Sequence, residues 1–153
     1  MLVWWHWSLA VAARGWLGPH TARLATVRIA PKIDGTYGPK SARGEFLSPS
    51  GLIKSSWKIE SAEDGQLGFS LNVSLPIGVQ SAEVTVPAPP TSESAWSLGP
   101  QAGNLLVVCN GKMVWSQGKF TAVEGIKTGR LGADGAAVIF DTTNGIFTFA
   151  SHI

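Results

Sequence analysis

The clearest pattern in the chain is an unbroken alternation. Leu67, Phe69, Leu71, Val73 and Leu75 alternate with Gln66, Gly68, Ser70, Asn72 and Ser74. A period of two sends one set to each face of a pleated backbone, so this stretch predicts a half-buried antiparallel strand. The segment before it behaves alike. Ile53, Ser55, Trp57 and Ile59 share one face and Lys54, Ser56, Lys58 and Glu60 the other, which makes the first face the buried one and Trp57 a core anchor. Ala82, Val84 and Val86 repeat the pattern against Ser81, Glu83 and Thr85 until the prolines at 87, 89 and 90 end it. Upstream, Leu24 to Ala30 reads as a strand, and Pro31 to Pro39, with Asp34-Gly35 and Gly38-Pro39, as a loop.

The turns connect these strands into hairpins. Ser48-Pro49-Ser50-Gly51 has serine first, proline second and glycine fourth, the preference of a type I turn. With Leu47 facing Leu52, the register sets Glu45 opposite Lys54, and that pairing explains Glu45 without any catalytic role. Asn110-Gly111 accepts the positive φ angles of a type I′ turn and predicts a tight hairpin joining Leu105–Val108 to Met113–Trp115. Val138–Phe140 and Ile146–Phe149 add late strands. Residues Pro87 to Asn104 form either a long crossing loop or an interdomain linker. About eight short strands separated by turns predict an all-β, antiparallel two-sheet β-sandwich, jelly-roll-like, whose late strands complete sheets begun earlier.

The first twenty residues break the pattern. Leu2 to Ala13 are mostly apolar, but His6 and Ser8 interrupt the run, Arg14 ends it, and it falls short of the roughly 20 residues needed to span a bilayer. A secretory leader wants positive charge ahead of the apolar stretch, and only the amino terminus precedes this one. Ala10, Ala12, Ala13 and Leu17 favour helix and Gly15 with Gly18-Pro19 supplies a stop, so residues 1–20 are expected to form a short apolar helix. Such a helix needs a partner to cover it.

Composition narrows the chemistry. At 153 residues, with 44% apolar and 14% charged residues, the chain has the size and apolar content of one folded domain. A net charge of +2 without basic runs points away from nucleic acid. Cys109, the single cysteine, lies in an apolar run and reads as a buried thiol. His6, His20 and His152 are scattered without ligand spacing, so neither metal nor cofactor is expected. Asp34, Asp64 and Asp134 each precede glycine in turn positions, and Glu63 sits beside Asp64. Asp141, with Thr142 and Thr143, reads as surface. Trp96, in the crossover, and Trp115, after the hairpin, are the indoles left free to stack on a sugar ring.

The order of the motifs is informative as well: Val27-Arg28-Ile29-Ala30-Pro31, then Ser48-Pro49-Ser50-Gly51-Leu52-Ile53-Lys54-Ser55-Ser56-Trp57, then Leu71-Asn72-Val73-Ser74-Leu75-Pro76, then Ala82-Glu83-Val84-Thr85-Val86-Pro87. Asn110-Gly111, Val114-Trp115, Gly118-Lys119-Phe120 and Asn144-Gly145-Ile146-Phe147-Thr148-Phe149 continue it. Over roughly residues 24 to 150 this series resembles the carboxy-terminal β-sandwich of bacterial and fungal α-L-rhamnosidases. In that family the sandwich follows an (α/α)6 barrel that holds the acid and base carboxylates of an inverting glycosidase. The barrel's motifs do not occur in this sequence, so no catalytic residue carries over. The resemblance therefore implies an accessory domain, residues 21–153, that packs on a helical-barrel catalytic domain. The helix at 1–20 is then either a remnant of the barrel's end or the product of a truncated or misread gene start. The alternative is a free-standing carbohydrate-binding module for rhamnose-containing glycans, with Trp96 or Trp115 as its contacts.

Overall fold

The computed structural model describes residues 2–5, 9–14, 26–33, 39–61, 65–89 and 102–153, the first two stretches through their backbone pairing alone. Thirteen strands run through these residues: β1 (Leu2–Trp5), β2 (Leu9–Arg14), β3 (Thr26–Pro31), β4 (Ser41–Ser48), β5 (Gly51–Ser61), β6 (Leu67–Leu75), β7 (Ala82–Pro87), β8 (Leu106–Cys109), β9 (Lys112–Ser116), β10 (Lys119–Phe120), β11 (Ile126–Leu131), β12 (Ala137–Thr142) and β13 (Gly145–His152). They form two sheets. The first has the order β3-β7-β12-β11, extended beyond β3 by β2 and then β1, and the second the order β10-β9-β8-β13-β6-β5-β4. The protein is thus an all-β sandwich, and the late strands do complete both sheets: β12 joins β7, and β13 inserts between β6 and β8. All named pairs are antiparallel except β3 with β7, which run parallel. A 3-10 turn, Ala102–Asn104, precedes β8.

Local sequence explains the sharpest hairpins. Leu47 faces Leu52 and Glu45 faces Lys54, the register that the Ser-Pro-Ser-Gly turn predicts. The Ser48 hydroxyl accepts from the Ser50 N–H at 3.1 Å and donates to the Gly51 carbonyl at 2.7 Å, so one side chain satisfies both ends of the turn. Asn110 and Gly111 adopt φ of 50° and 79°, as a type I′ turn requires. Gln117 and Gly118, at 49° and 73°, make a second such turn between β9 and β10.

The core lies between the sheets. Leu67, Phe69, Leu71, Val73 and Leu75 of β6, Ile53 and Trp57 of β5, and Ala82, Val84 and Val86 of β7 are all buried, as their alternation predicts. Phe140 of the first sheet stacks on Phe149 of the second at 5.4 Å between centroids, and Phe149 on Phe147 at 6.2 Å. The buried Ser151 hydroxyl donates across the layers to the Pro87 carbonyl at 3.3 Å.

One expected element is corrected. In place of a helix within residues 1–20, β1 and β2 pair antiparallel and β2 pairs in turn with β3, Ala12 opposite Arg28 and Val11 opposite Ile29. An apolar run with little polar contrast does not separate the helical period from the strand period. Tryptophan and valine favour a pleated surface, and the edge of β3 offers backbone partners that a solitary helix lacks. Two further strands carry weak patterns and were not expected, β11, with its central Gly129, and the two-residue β10. The crossover from 90 to 101 and the turn acids Asp34, Glu63 and Asp64 lie outside the described residues.

Candidate functional site

Carboxylates are the groups on which glycoside chemistry would depend, and the outer face of the first sheet gathers two of them. The antiparallel pair β7–β12 sets Glu83 directly opposite Asp141. On either side, the parallel pair brings Arg28 beside Glu83, and β11 brings Thr128 beside Asp141. A row of polar side chains therefore crosses four strands. Arg130 binds both acids, Nη2 to Glu83 Oε2 at 2.6 Å and Nη1 to Asp141 Oδ2 at 2.9 Å. Arg28 Nε adds a contact to Glu83 Oε1 at 3.1 Å, and the Thr128 hydroxyl donates to Asp141 Oδ2 at 2.6 Å.

The electrostatics follow from this clamp. Burial alone would raise the Asp141 pKa, but the hydrogen bonds from Thr128 and Arg130 and the charges of Arg130 and Lys127 outweigh it and hold the carboxyl below its ordinary value. Arg130 is raised in turn, first by its hydrogen bond to Asp141. A glycosidase needs one carboxyl kept protonated near neutral pH as general acid, and a second left free to activate water or attack the sugar. Here Asp141 is pushed the opposite way and Glu83 is engaged by two arginines. The arrangement is a surface ion ladder.

Three further acids among the described residues are likewise occupied. Glu45 accepts from Arg43 at 2.7 Å and lies 3.8 Å from Lys54, and these partners lower its pKa, the Arg43 hydrogen bond most. Glu60 pairs with Lys58. Asp134 Oδ1 caps its own turn by accepting from the Ala136 N–H at 3.0 Å, as its place before glycine predicts. Glu124 lines an open groove of about 450 Å³ at one end of the sandwich, together with Asn110, Lys112, Thr143, Asn144 and Phe147. Asn110 is engaged structurally there: its amide donates to the Ile146 carbonyl at 3.1 Å and accepts from the Thr148 N–H at 2.8 Å, binding the β8–β9 hairpin tip to β13.

Of the two indoles left free by the sequence, Trp96 lies outside the described residues and Trp115 is enclosed, 4% exposed. The cause is a bulge. Val107 faces Trp115 and Val108 faces Met113, so Val114 is an extra residue in β9, and both Val114 and Trp115 turn inward where strict alternation would send one of them out. An enclosed ring offers no face for a sugar to stack upon. Cys109 is buried as expected, and that burial raises its thiol to about 11, partly offset by a hydrogen bond from the Thr148 backbone. His152 lies near the end of β13. Among the described residues no group of three or more His, Cys, Asp or Glu is placed to hold a metal ion, and no helix is long and apolar enough to cross a membrane.

Sequence reasoning missed the Arg130 clamp. Its signal was present in Thr128 and Arg130, two apart on one strand face and both available to Asp141, but Lys127 is an extra residue at a register shift between Ile126 and Thr128, which hides the pairing.

A two-sheet β-sandwich whose described acids, Glu124 apart, are held in ion pairs and a turn is a class shared by many domains. Comparison with known families is more specific. Residues 19–99, more than half of the chain, match the family model of the bacterial alpha-L-rhamnosidase C-terminal domain, and the chain belongs to that family. The match takes in β3 to β7; the strands from β8 to β13 complete the same two sheets. No curated protein matches the chain.

Proposed function

We propose that this protein is the accessory C-terminal sandwich of an α-L-rhamnosidase-like glycoside hydrolase, residues 21–153 forming the domain that packs on and supports a catalytic (α/α)6 barrel. The observation that carries the reading is the Arg130 clamp. A domain whose directly opposed acids share one guanidinium, with Asp141 held below its ordinary pKa, is built for a stable surface rather than for proton transfer to a leaving group. Family membership supports the same reading, because the matched family is a C-terminal domain of a larger enzyme.

The test is an assay of the purified chain on an aryl α-L-rhamnoside, comparing wild type with Asp141→Ala, Asp134→Ala and Glu124→Ala. No turnover by any form is expected. Turnover abolished by one of these changes would overturn the proposal. The same preparations titrated with rhamnose-containing oligosaccharides should show no saturable change in tryptophan fluorescence; saturable quenching would instead favour a glycan-binding module.

A further inference from the structure

A strand at the margin of a sheet leaves one side of its backbone unpaired, and natural sheets keep such margins short, bent or covered. Three of the four sheet margins follow that rule: β1 has four residues, β10 has two, and β11 is broken by the register shift at Lys127. β4 does not. It runs for eight residues, Ser41–Ser48, holds an unshifted register with β5 along its whole length and contains no proline. Among the described residues β5 is its only pairing partner, and β2 comes near it from the first sheet without pairing.

The direction of the open backbone groups follows from one bond. The Ile59 N–H donates to the Lys40 carbonyl at 2.7 Å, which puts Lys40 at a hydrogen-bonded position against β5. Bonded and non-bonded positions alternate in an antiparallel pair, so Ala42, Gly44 and Phe46 bond to β5 while Ser41, Arg43, Glu45 and Leu47 turn their N–H and C=O groups away from it. An added strand can bond only to those four. If that strand is a second β4 running antiparallel, the two-fold axis passes through one residue. With the axis at Gly44, Arg43 faces Glu45 of the other copy, Ser41 faces Leu47 and, on the inner face, Ala42 faces Phe46. With the axis at Arg43 two arginines meet, and at Glu45 two glutamates; axes nearer either end shorten the overlap. Opposite charges directly across a strand pair stabilise it and like charges destabilise it. Charge therefore selects Gly44. Size agrees with charge, since the axis then carries no side chain and the half-buried Phe46 lies beside the small Ala42.

We infer that the chain self-associates through β4, two copies pairing antiparallel about a two-fold axis at Gly44 so that their second sheets become one continuous sheet. Arg43 and Glu45, which in the single chain bond to each other at 2.7 Å along one strand, then pair across the axis. The occupant of this edge is a second copy of the chain because the edge is complementary to itself in charge, in size and in the phase of its backbone groups. The accessory-domain reading neither requires this pairing nor depends on it.

Sedimentation equilibrium of the full chain tests the pairing. Wild type should pass from monomer to dimer as its concentration rises. Arg43→Glu sets acid against acid across the axis and Glu45→Arg sets base against base, so each variant alone should dimerise at least tenfold more weakly. Mixed in equal amounts, the two variants should recover the dimer, because each then meets the opposite charge. Arg43→Pro removes an outward N–H without removing a bond to β5, so it should dissociate the dimer as well. Circular dichroism establishes that each variant folds, and Arg43→Pro keeps the test sound if a charge variant does not. A wild-type chain that stays monomeric at its solubility limit would overturn the inference. So would a dimer that none of these changes weakens, or charge variants no more associated in the mixture than alone. Each of these failures would leave the accessory-domain reading standing, since that reading is tested by turnover and by sugar titration.

Discussion

Replacing Trp57 with alanine should come close to unfolding the domain. The indole is 2% exposed on the inner face of β5 and stacks on Phe69 with centroids 5.9 Å apart and planes at 29°. Removing a buried ring of this size typically costs about 3–5 kcal/mol, against a total stability of about 5–15 kcal/mol for a single domain. One feature moderates the loss. Trp57 Nε1 has no hydrogen-bond partner among the described residues, so alanine also removes a buried donor that those residues leave unpaired, worth roughly 1–3 kcal/mol. The expected cost is therefore at the low end, about 3 kcal/mol. Trp57→Phe keeps most of the ring stack and removes the same donor, so it should cost within about 1 kcal/mol. In urea, with a slope of about 1–3 kcal/mol per molar, the alanine variant should lose roughly 1–3 M from its midpoint by far-ultraviolet circular dichroism. An unchanged midpoint in Trp57→Ala would place the residue outside the core. A phenylalanine variant as damaged as the alanine one would show that the N–H is satisfied and matters.

Three further expectations follow from single features. The Cys109 thiol, buried and raised to about 11, should resist iodoacetamide at pH 7.5 and react only in denaturant; rapid labelling of the native chain would contradict its placement. Asp141 has a folded pKa below its unfolded value, so its contribution is present above roughly pH 4 and is lost as pH falls through the folded pKa; Arg130→Gln should raise that pKa, seen by NMR titration, at a cost under about 1 kcal/mol because the groups are half exposed, and an unmoved titration would refute the clamp. Gly51→Ala should cost about 1–3 kcal/mol, since Gly51 has φ of +121° and a Cβ there would lie 2.8 Å from Pro76 Cβ; a thermal midpoint equal to wild type would show that this hairpin tip yields freely.

Much of the fold was legible because its strongest strands obey strict alternation. The β5 and β6 faces, the Glu45–Lys54 register and the Asn110-Gly111 turn are local consequences of side-chain period and backbone preference, and they hold in the structure. What escaped depended on irregularity or on distant partners. The bulge at Val114 reverses the side to which Trp115 points, and no local residue announces it. The amino-terminal run takes its strand form from the edge of β3, a partner beyond its own sequence. The parallel pairing of β3 with β7 comes from the chain path, not from either strand's composition. The Arg130 clamp joins residues 47 and 11 positions apart, so it becomes visible only once β7, β12 and β11 lie side by side.

The measurement that bears most directly on the accessory-domain account is the thermal midpoint of a bacterial α-L-rhamnosidase catalytic region, stripped of its own C-terminal domain, with and without this chain. A domain that packs on and supports the catalytic unit binds its folded form alone and so raises the midpoint in proportion to the logarithm of its concentration. The account predicts that rise, continuing logarithmically once the single site on the catalytic region is filled and without any rhamnosidase activity from the chain itself. A midpoint unmoved at concentrations where the chain is fully folded would contradict it.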